Sequence, residues 1–291
     1  MTIEDAIRRA KLLGQARLQR EGLAQAQPDS VEPRMTVESG RGVVRPSREP
    51  AIRLEPLKKV EISAAACEQN RVLLSESQLR EFPSVDAAYR LLRSRLQNRL
   101  KRNNWFSLAI ASPSQADGKS ISATNLAISI AREKQKSVYL LDLDMRNPSV
   151  CRFLGIRDIR PLSDFLLGHA RAEDVLVQTS FPNFIVAGTL GPAEGASELL
   201  AGPRLNELLS HIRLRSPDAC VLLDLPPVNV TDEALLVGPR IDAFLIVVSE
   251  GKTERVQLAQ TLSTLSEFTI AGVVVNRSSE SHTVGYEYYT A

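Results

Sequence analysis

Gly118, Lys119 and Ser120 close the stretch SPSQADGKS, which follows an apolar run and opens into apolar residues at helical spacing. Gly-Lys-Ser between a strand and a helix is the end of a phosphate-binding loop. The backbone around Gln115, Ala116, Asp117, Gly118 and Ile121 would turn its N–H groups toward phosphate oxygens, aided by the helix dipole. Lys119 would reach the β- and γ-phosphates and the Ser120 hydroxyl would ligate Mg²⁺. The pattern departs from GxxxxGK[ST] in one respect. Its leading glycine would fall at Pro113, and Gln115 and Ala116 stand where glycines are common, so a positive φ at Ala116 would cost about 1 kcal/mol or more.

The run VYLLDLDMR supplies the second element. Asp142 and Asp144 lie two apart, on the same side of an alternating chain, with Arg146 two residues further. Carboxylates at the C-terminal end of a parallel strand point into the ligand crevice; one can hold Mg²⁺ through water while the other, free of metal, accepts the proton of an attacking hydroxyl. A third run, VLLDLPP, ends in Asp224 before two prolines and has the form of a Walker B acid that fixes Mg²⁺. Asn276 ends the run IAGVVVN, where its amide could meet a purine edge or simply start a turn.

Three of the five tyrosines, Tyr286, Tyr288 and Tyr289, fall within the last six residues, in a polar stretch with no core to fill. Recognition or modification suits such residues better than packing.

These groups need a scaffold that brings strand ends together. From Trp105 to Asn276 the sequence alternates short Val/Ile/Leu-rich runs with helical patterns, which is how strands covered by helices on both faces read. The expected fold is α/β, a mainly parallel sheet of P-loop NTPase type, with a ligand crevice at the strand C-terminal ends. Residues 196–216 read as a single helix. The segment SVDAAYRLLRSRLQNRLKRNN, residues 84–104, predicts a helix whose apolar face is Val85, Ala88, Leu92, Leu96 and Leu100, with Asn103 and Asn104 as turn formers at its end. Composition divides the chain into an amphipathic helix at 1–24, a flexible linker at 25–75, the catalytic domain at 76–280 and the tyrosine-rich tail at 281–291.

In a chain of 291 residues, 36 Lys and Arg against 34 Asp and Glu leave a formal charge of +2, too small for a general nucleic-acid field. Cys67, Cys151 and Cys220 form no CxxC pair and read as small buried hydrophobes of a reducing compartment. The start lacks the apolar core of a signal peptide, and nowhere do ~18 apolar residues follow one another. A cytoplasmic protein is expected.

Together, SPSQADGKS, LLDLDMRNPS, ASELL, LLDLPPVNVTDEA, GVVVN and the terminal YEYY resemble the bacterial tyrosine kinases that regulate exopolysaccharide and capsule assembly, in particular the exosortase-associated autokinase branch. The resemblance covers roughly residues 83–291. It implies an ATP- and Mg²⁺-dependent autokinase in which Asp142 is a metal-associated acid, Asp144 the base for the incoming tyrosine, Lys119 and Ser120 the phosphate and Mg²⁺ contacts, Asp224 the Walker B acid, and Tyr286, Tyr288 and Tyr289 the acceptors. It also implies a separate membrane-embedded chain-length regulator as activator, recruitment to the inner membrane through it, a homo-oligomer and an opposing tyrosine phosphatase. Family rings form through an ExxRxxR helix; here Arg90 and Arg93 are present, Ala87 replaces the glutamate and Asp86 stands one position early. Two other readings are a partition- or septum-positioning ATPase, whose extra loop lysine would fall at Ser114, and a catalytically weak nucleotide-binding scaffold.

Overall fold

The computed structural model describes residues 55–278 except Gln135. Eight strands in this region form one sheet: β1 (Lys58–Lys59), β2 (Ser107–Ala111), β3 (Val138–Asp142), β4 (Val177–Gln178), β5 (Phe184–Ala187), β6 (Cys220–Asp224), β7 (Ala243–Ser249) and β8 (Ile270–Asn276). Their order is β1-β4-β5-β3-β6-β2-β7-β8, and every pairing is parallel except β4 with β5. Each residue of β2, β3, β6 and β7 is buried, as helices on both faces require. The sheet therefore separates two apolar layers, one built on Leu141, Leu223 and Ile246, the other on Ile110, Leu140 and Leu222.

The helices are α1 (Ala64–Gln69), α2 (Glu76–Glu81), α3 (Pro83–Asn103), α4 (Lys119–Ala131), α5 (Val150–Leu154), α6 (Leu162–Leu166), α7 (Ala172–Val175), α8 (Ala196–Ala201), α9 (Arg204–Arg215), α10 (Glu233–Val237) and α11 (Arg255–Thr264). Small residues let α4 press into the fold on every side, and all of it except Ile121 is buried. Proline at its first position starts α3, and Asn104, in the left-handed region at φ 54°, ends it.

Three sequence expectations change. Residues 56–75, assigned by composition to the linker, are folded: β1 pairs with β4, Ser63 caps α1, and Leu57, Cys67, Val72 and Leu73 are buried. Asn125 of α4 accepts from the Leu73 N–H at 2.7 Å, and Gly155 leaves no room for a side chain because a Cβ there would stand 2.4 Å from the Ser63 Cβ. The buried apolar residues of this strap follow neither a helix nor a strand period, and polar side chains cap and tie its backbone, so its pattern did not announce it. Second, the helix expected over 196–216 breaks at Gly202–Pro203 into α8 and α9; proline cannot donate the helical hydrogen bond. Third, only the C-terminal half of α3 has its predicted face buried. Leu96 and Leu100 are covered, whereas Val85 and Ala88 are exposed.

The helix expected at 1–24 and the tail at 281–291, with Tyr286, Tyr288 and Tyr289, lie outside the described residues.

Candidate nucleotide and phosphotransfer site

Strand order explains why the three motifs meet. The motif-bearing strands β3, β6 and β2 are neighbours at the middle of the sheet, and Asp142 is in register with Asp224. The phosphate loop leaves the end of β2, so it emerges beside both acids.

The loop conformation is the one its glycine-poor sequence made costly. Ala116 has φ 59° and Gly118 φ 95°. Gly118 also makes room for a neighbour, since a Cβ on it would meet the Asn276 Nδ2 at 1.9 Å and displace that side chain. The Asp117 carboxylate, fully buried, accepts from the Ser114 N–H at 2.9 Å and so closes the loop on itself. At the start of α4 the first-turn N–H groups have no intrahelical acceptor, which leaves them for an anion.

Lys119 extends across this opening. Its Nζ lies 2.6 Å from Asp144 Oδ2, 3.0 Å from Ser120 Oγ and 3.6 Å from Asp224 Oδ1. Burial alone would lower its pKa, but the charges of Asp224 and Asp144 outweigh that and hold the ammonium above its ordinary value. The pocket therefore carries a fixed cation facing three acids.

The three acids differ in what they hold. Asp142 accepts from the Ser149 and Val150 N–H groups at 2.8 and 2.9 Å, anchoring the start of α5, and from the Asp144 N–H at 3.2 Å. Burial first, and the nearby charge of Asp224 second, push its carboxyl up to about 7. Asp144 gives one oxygen to Lys119 and the other to the Asn147 N–H at 3.1 Å. Asp224 is completely buried, and neither of its oxygens receives a hydrogen bond. Burial raises its pKa, offset in part by Lys119. A buried carboxylate without donors costs several kcal/mol unless a cation meets it. With the Ser120 hydroxyl beside it, Asp224 fits Mg²⁺, a hard ion that takes one or two protein oxygens and completes its shell with water and phosphate.

The remaining predicted residues fall into two groups. Gln115, Ala116, Asp117 and Ile121 belong to the loop and the first turn of α4, and Asn276 joins them. Its Nδ2 donates to the Asp117 carbonyl at 3.0 Å, so the donor half of that amide holds the loop rather than a purine. Arg90 and Arg93 lie apart, on α3. Arg90 is exposed and pairs with Asp86 at 3.1 Å, while Arg93 is largely covered, donating to the Ser129 carbonyl at 2.8 Å and pairing with Glu133 at 2.8 Å. The second arginine of the expected assembly motif is thus spent within its own chain.

Two residues were not anticipated. Glu233, buried at the start of α10, receives Arg146 at 2.8 Å, and Arg146 also reaches Ser197 of α8. This ties the DMR and ASELL segments to TDEA. Lys252, after β7, donates to the Gln115 carbonyl. Its signal was a Gly-Lys turn at a strand C-terminal end, which sequence alone could not place beside the loop.

A protein-family profile described as ParA, NUBPL iron-transfer P-loop NTPase, matches residues 106–284, well over half of the chain. The chain belongs to this family of P-loop NTPases. It is 27% identical over 214 residues to the tyrosine-protein kinase CpsD of Streptococcus agalactiae serotype Ia, covering 72% of this chain and 90% of that protein. To the tyrosine-protein kinase YwqD of Bacillus subtilis it is 29% identical over 209 residues, covering 69% and 84%. The kinase domain of the Escherichia coli tyrosine kinase ETK superposes with a TM-score of 0.61 at 25% identity, over 69% of this chain and 80% of that one. The family and these relatives agree with the fold and the family resemblance expected from the motifs. Cys67, Cys151 and Cys220 are all buried free thiols, with burial pushing Cys151 and Cys220 up to about 12.

Proposed function

We propose that this P-loop NTPase is an ATP-dependent protein-tyrosine autokinase that regulates exopolysaccharide or capsule polymerisation and export. The observation that carries the reading is the Lys119 ammonium, held at 2.6 Å from Asp144 and 3.6 Å from an Asp224 that has no hydrogen-bond donor. The tyrosine kinases among its relatives favour phosphoryl transfer to tyrosine over partition or septum positioning, as does serine at position 114 in place of the loop lysine.

In this reading, Lys119 exchanges carboxylate for the β- and γ-phosphate oxygens, and the first-turn N–H groups of α4 cradle the same phosphates. Ser120 and Asp224 would hold Mg²⁺, which when bound would supply charge neutralisation for the transferred phosphoryl group. Asp144, relieved of its lysine, is oriented by the Asn147 N–H and accepts the proton of the tyrosine hydroxyl. Asp142 positions rather than reacts, because backbone N–H groups engage both its oxygens. Tyr286, Tyr288 and Tyr289 are the acceptors, modified between neighbouring subunits, and the added charge weakens their association. A membrane-embedded chain-length regulator is the activator and recruits the chain to the inner membrane; none of the described helices is long and apolar enough to cross a membrane. A tyrosine phosphatase resets the tail, and Arg90 is the exposed one of the two motif arginines on α3, available to a second copy.

Incubation with Mg·ATP followed by peptide mass spectrometry is expected to find phosphate on Tyr286, Tyr288 or Tyr289, with Lys119→Met reducing it by a factor of about 100 or more. Equal labelling of the Lys119→Met protein would refute the site. Replacing the three tyrosines with phenylalanine should leave nucleotide affinity unchanged while removing the product. Retained labelling would move the acceptor elsewhere in the chain.

A further inference from the structure

The turn after β7 passes through Gly251 at φ 70° and sends Lys252 back over the rim of the sheet. The Lys252 Nζ donates to the Gln115 carbonyl oxygen and stands 3.7 Å from Asp117 Oδ1. That oxygen is buried and has no hydrogen-bond donor of its own. Lys252 therefore grips the residues on either side of Ala116, the one position of the loop where a side chain is forced into the left-handed region.

We propose that Lys252 is a positioning residue for nucleotide binding, an external clamp that keeps a glycine-poor phosphate loop in its anion-binding conformation. The stereochemistry is direct. In a trans peptide the carbonyl and the following N–H point in opposite directions. Holding the Gln115 carbonyl toward Lys252 turns the Ala116 N–H away from it, as a loop that binds phosphate through its backbone requires. A glycine at 116 would adopt that conformation unaided; alanine resists it. The hydrogen bond is charge-assisted but half exposed, and Asp117 adds a second, weaker attraction on the same ammonium. Lys252 thus compensates from outside for a substitution inside the loop. The inference rests on the nucleotide-binding reading above and deepens it.

Calorimetric titration of Mg·ADP and Mg·ATP into the full chain tests both separately. Lys252→Met is expected to weaken binding about tenfold, in line with the loss of one charge-assisted hydrogen bond. Lys252→Arg should recover most of the affinity. In kinase assays the Lys252→Met loss should appear in KM for ATP, with kcat within about twofold. In an Ala116→Gly background the penalty for Lys252→Met should shrink to about threefold or less, because that loop no longer needs the clamp. Binding by Lys252→Met equal to the parent would overturn the inference, and a tenfold loss undiminished in the Ala116→Gly background would overturn the link to Ala116. Failure of the parent itself to bind either nucleotide would overturn the nucleotide reading, and this clamp with it.

Discussion

Asp142 and Asp224 occupy equivalent places at the ends of adjacent strands, in register and equally buried, yet they live differently. The end of β3 is a closed structure: Asp142 collects three backbone N–H groups and so fixes both the start of α5 and the turn that carries Asp144. The end of β6 is an open one, a carboxylate held by no backbone N–H group, with only the Lys119 ammonium at 3.6 Å and the Ser120 hydroxyl beside it. Proteins pair nearly all buried polar atoms, so an exception at a rim beside a phosphate loop marks a group kept for a ligand. What distinguishes the functional acid here is its lack of partners, a property no sequence pattern displays.

The largest test of that contrast is on activity. Asp224→Ala should lower tyrosine phosphorylation by a factor of about 100 or more, with a correspondingly higher Mg²⁺ requirement, while the nucleotide-free protein unfolds at a urea concentration no lower than the parent's. Asp142→Ala should do the reverse in the absence of nucleotide. It strands three buried N–H groups and is expected to cost about 2–4 kcal/mol in urea unfolding. Equal destabilisation by the two substitutions would erase the distinction between closed and open ends.

A smaller effect sharpens it through pH. A carboxyl raised from 3.8 to about 7 binds its proton more tightly in the folded chain than in the unfolded one. Its favourable contribution is therefore full below about pH 4 and is lost as pH rises to about 7. In nucleotide-free protein without Mg²⁺, Asp142→Asn should flatten that decline, and an unchanged slope between pH 4 and 7 would show that Asp142 does not titrate as its burial demands.

Where function resides in strand ends, the sequence was readable. Continuous apolar runs closed by an acid place Asp142 and Asp224 at the rim, and Gly-Lys-Ser opening a helix places Lys119 and Ser120 opposite them. Less legible were contacts made across the chain by ordinary polar residues. Asn276 carries an amide suited to a base, but its position against Gly118 depends on how β8 lies beyond β7 and turns that amide onto the loop. Arg93 reads as a surface residue of a basic helix until α4 is packed beneath it. The strap at 56–75 escaped because its buried Leu57, Ile62, Cys67 and Val72 recur at neither strand nor helix spacing, and polar caps and backbone pairing complete its hold.

Asn276 closes the last strand and also touches the phosphate loop, so the loop and the departing chain share a joint. Any ligand that shifts the Asp117 carbonyl changes the footing from which residues beyond 278 set out. By thermodynamic reciprocity, whatever restrains that departing segment must feed back on the ligand's hold by the same factor. An acceptor tethered at this joint would act on the enzyme as an effector as well as serving as its substrate.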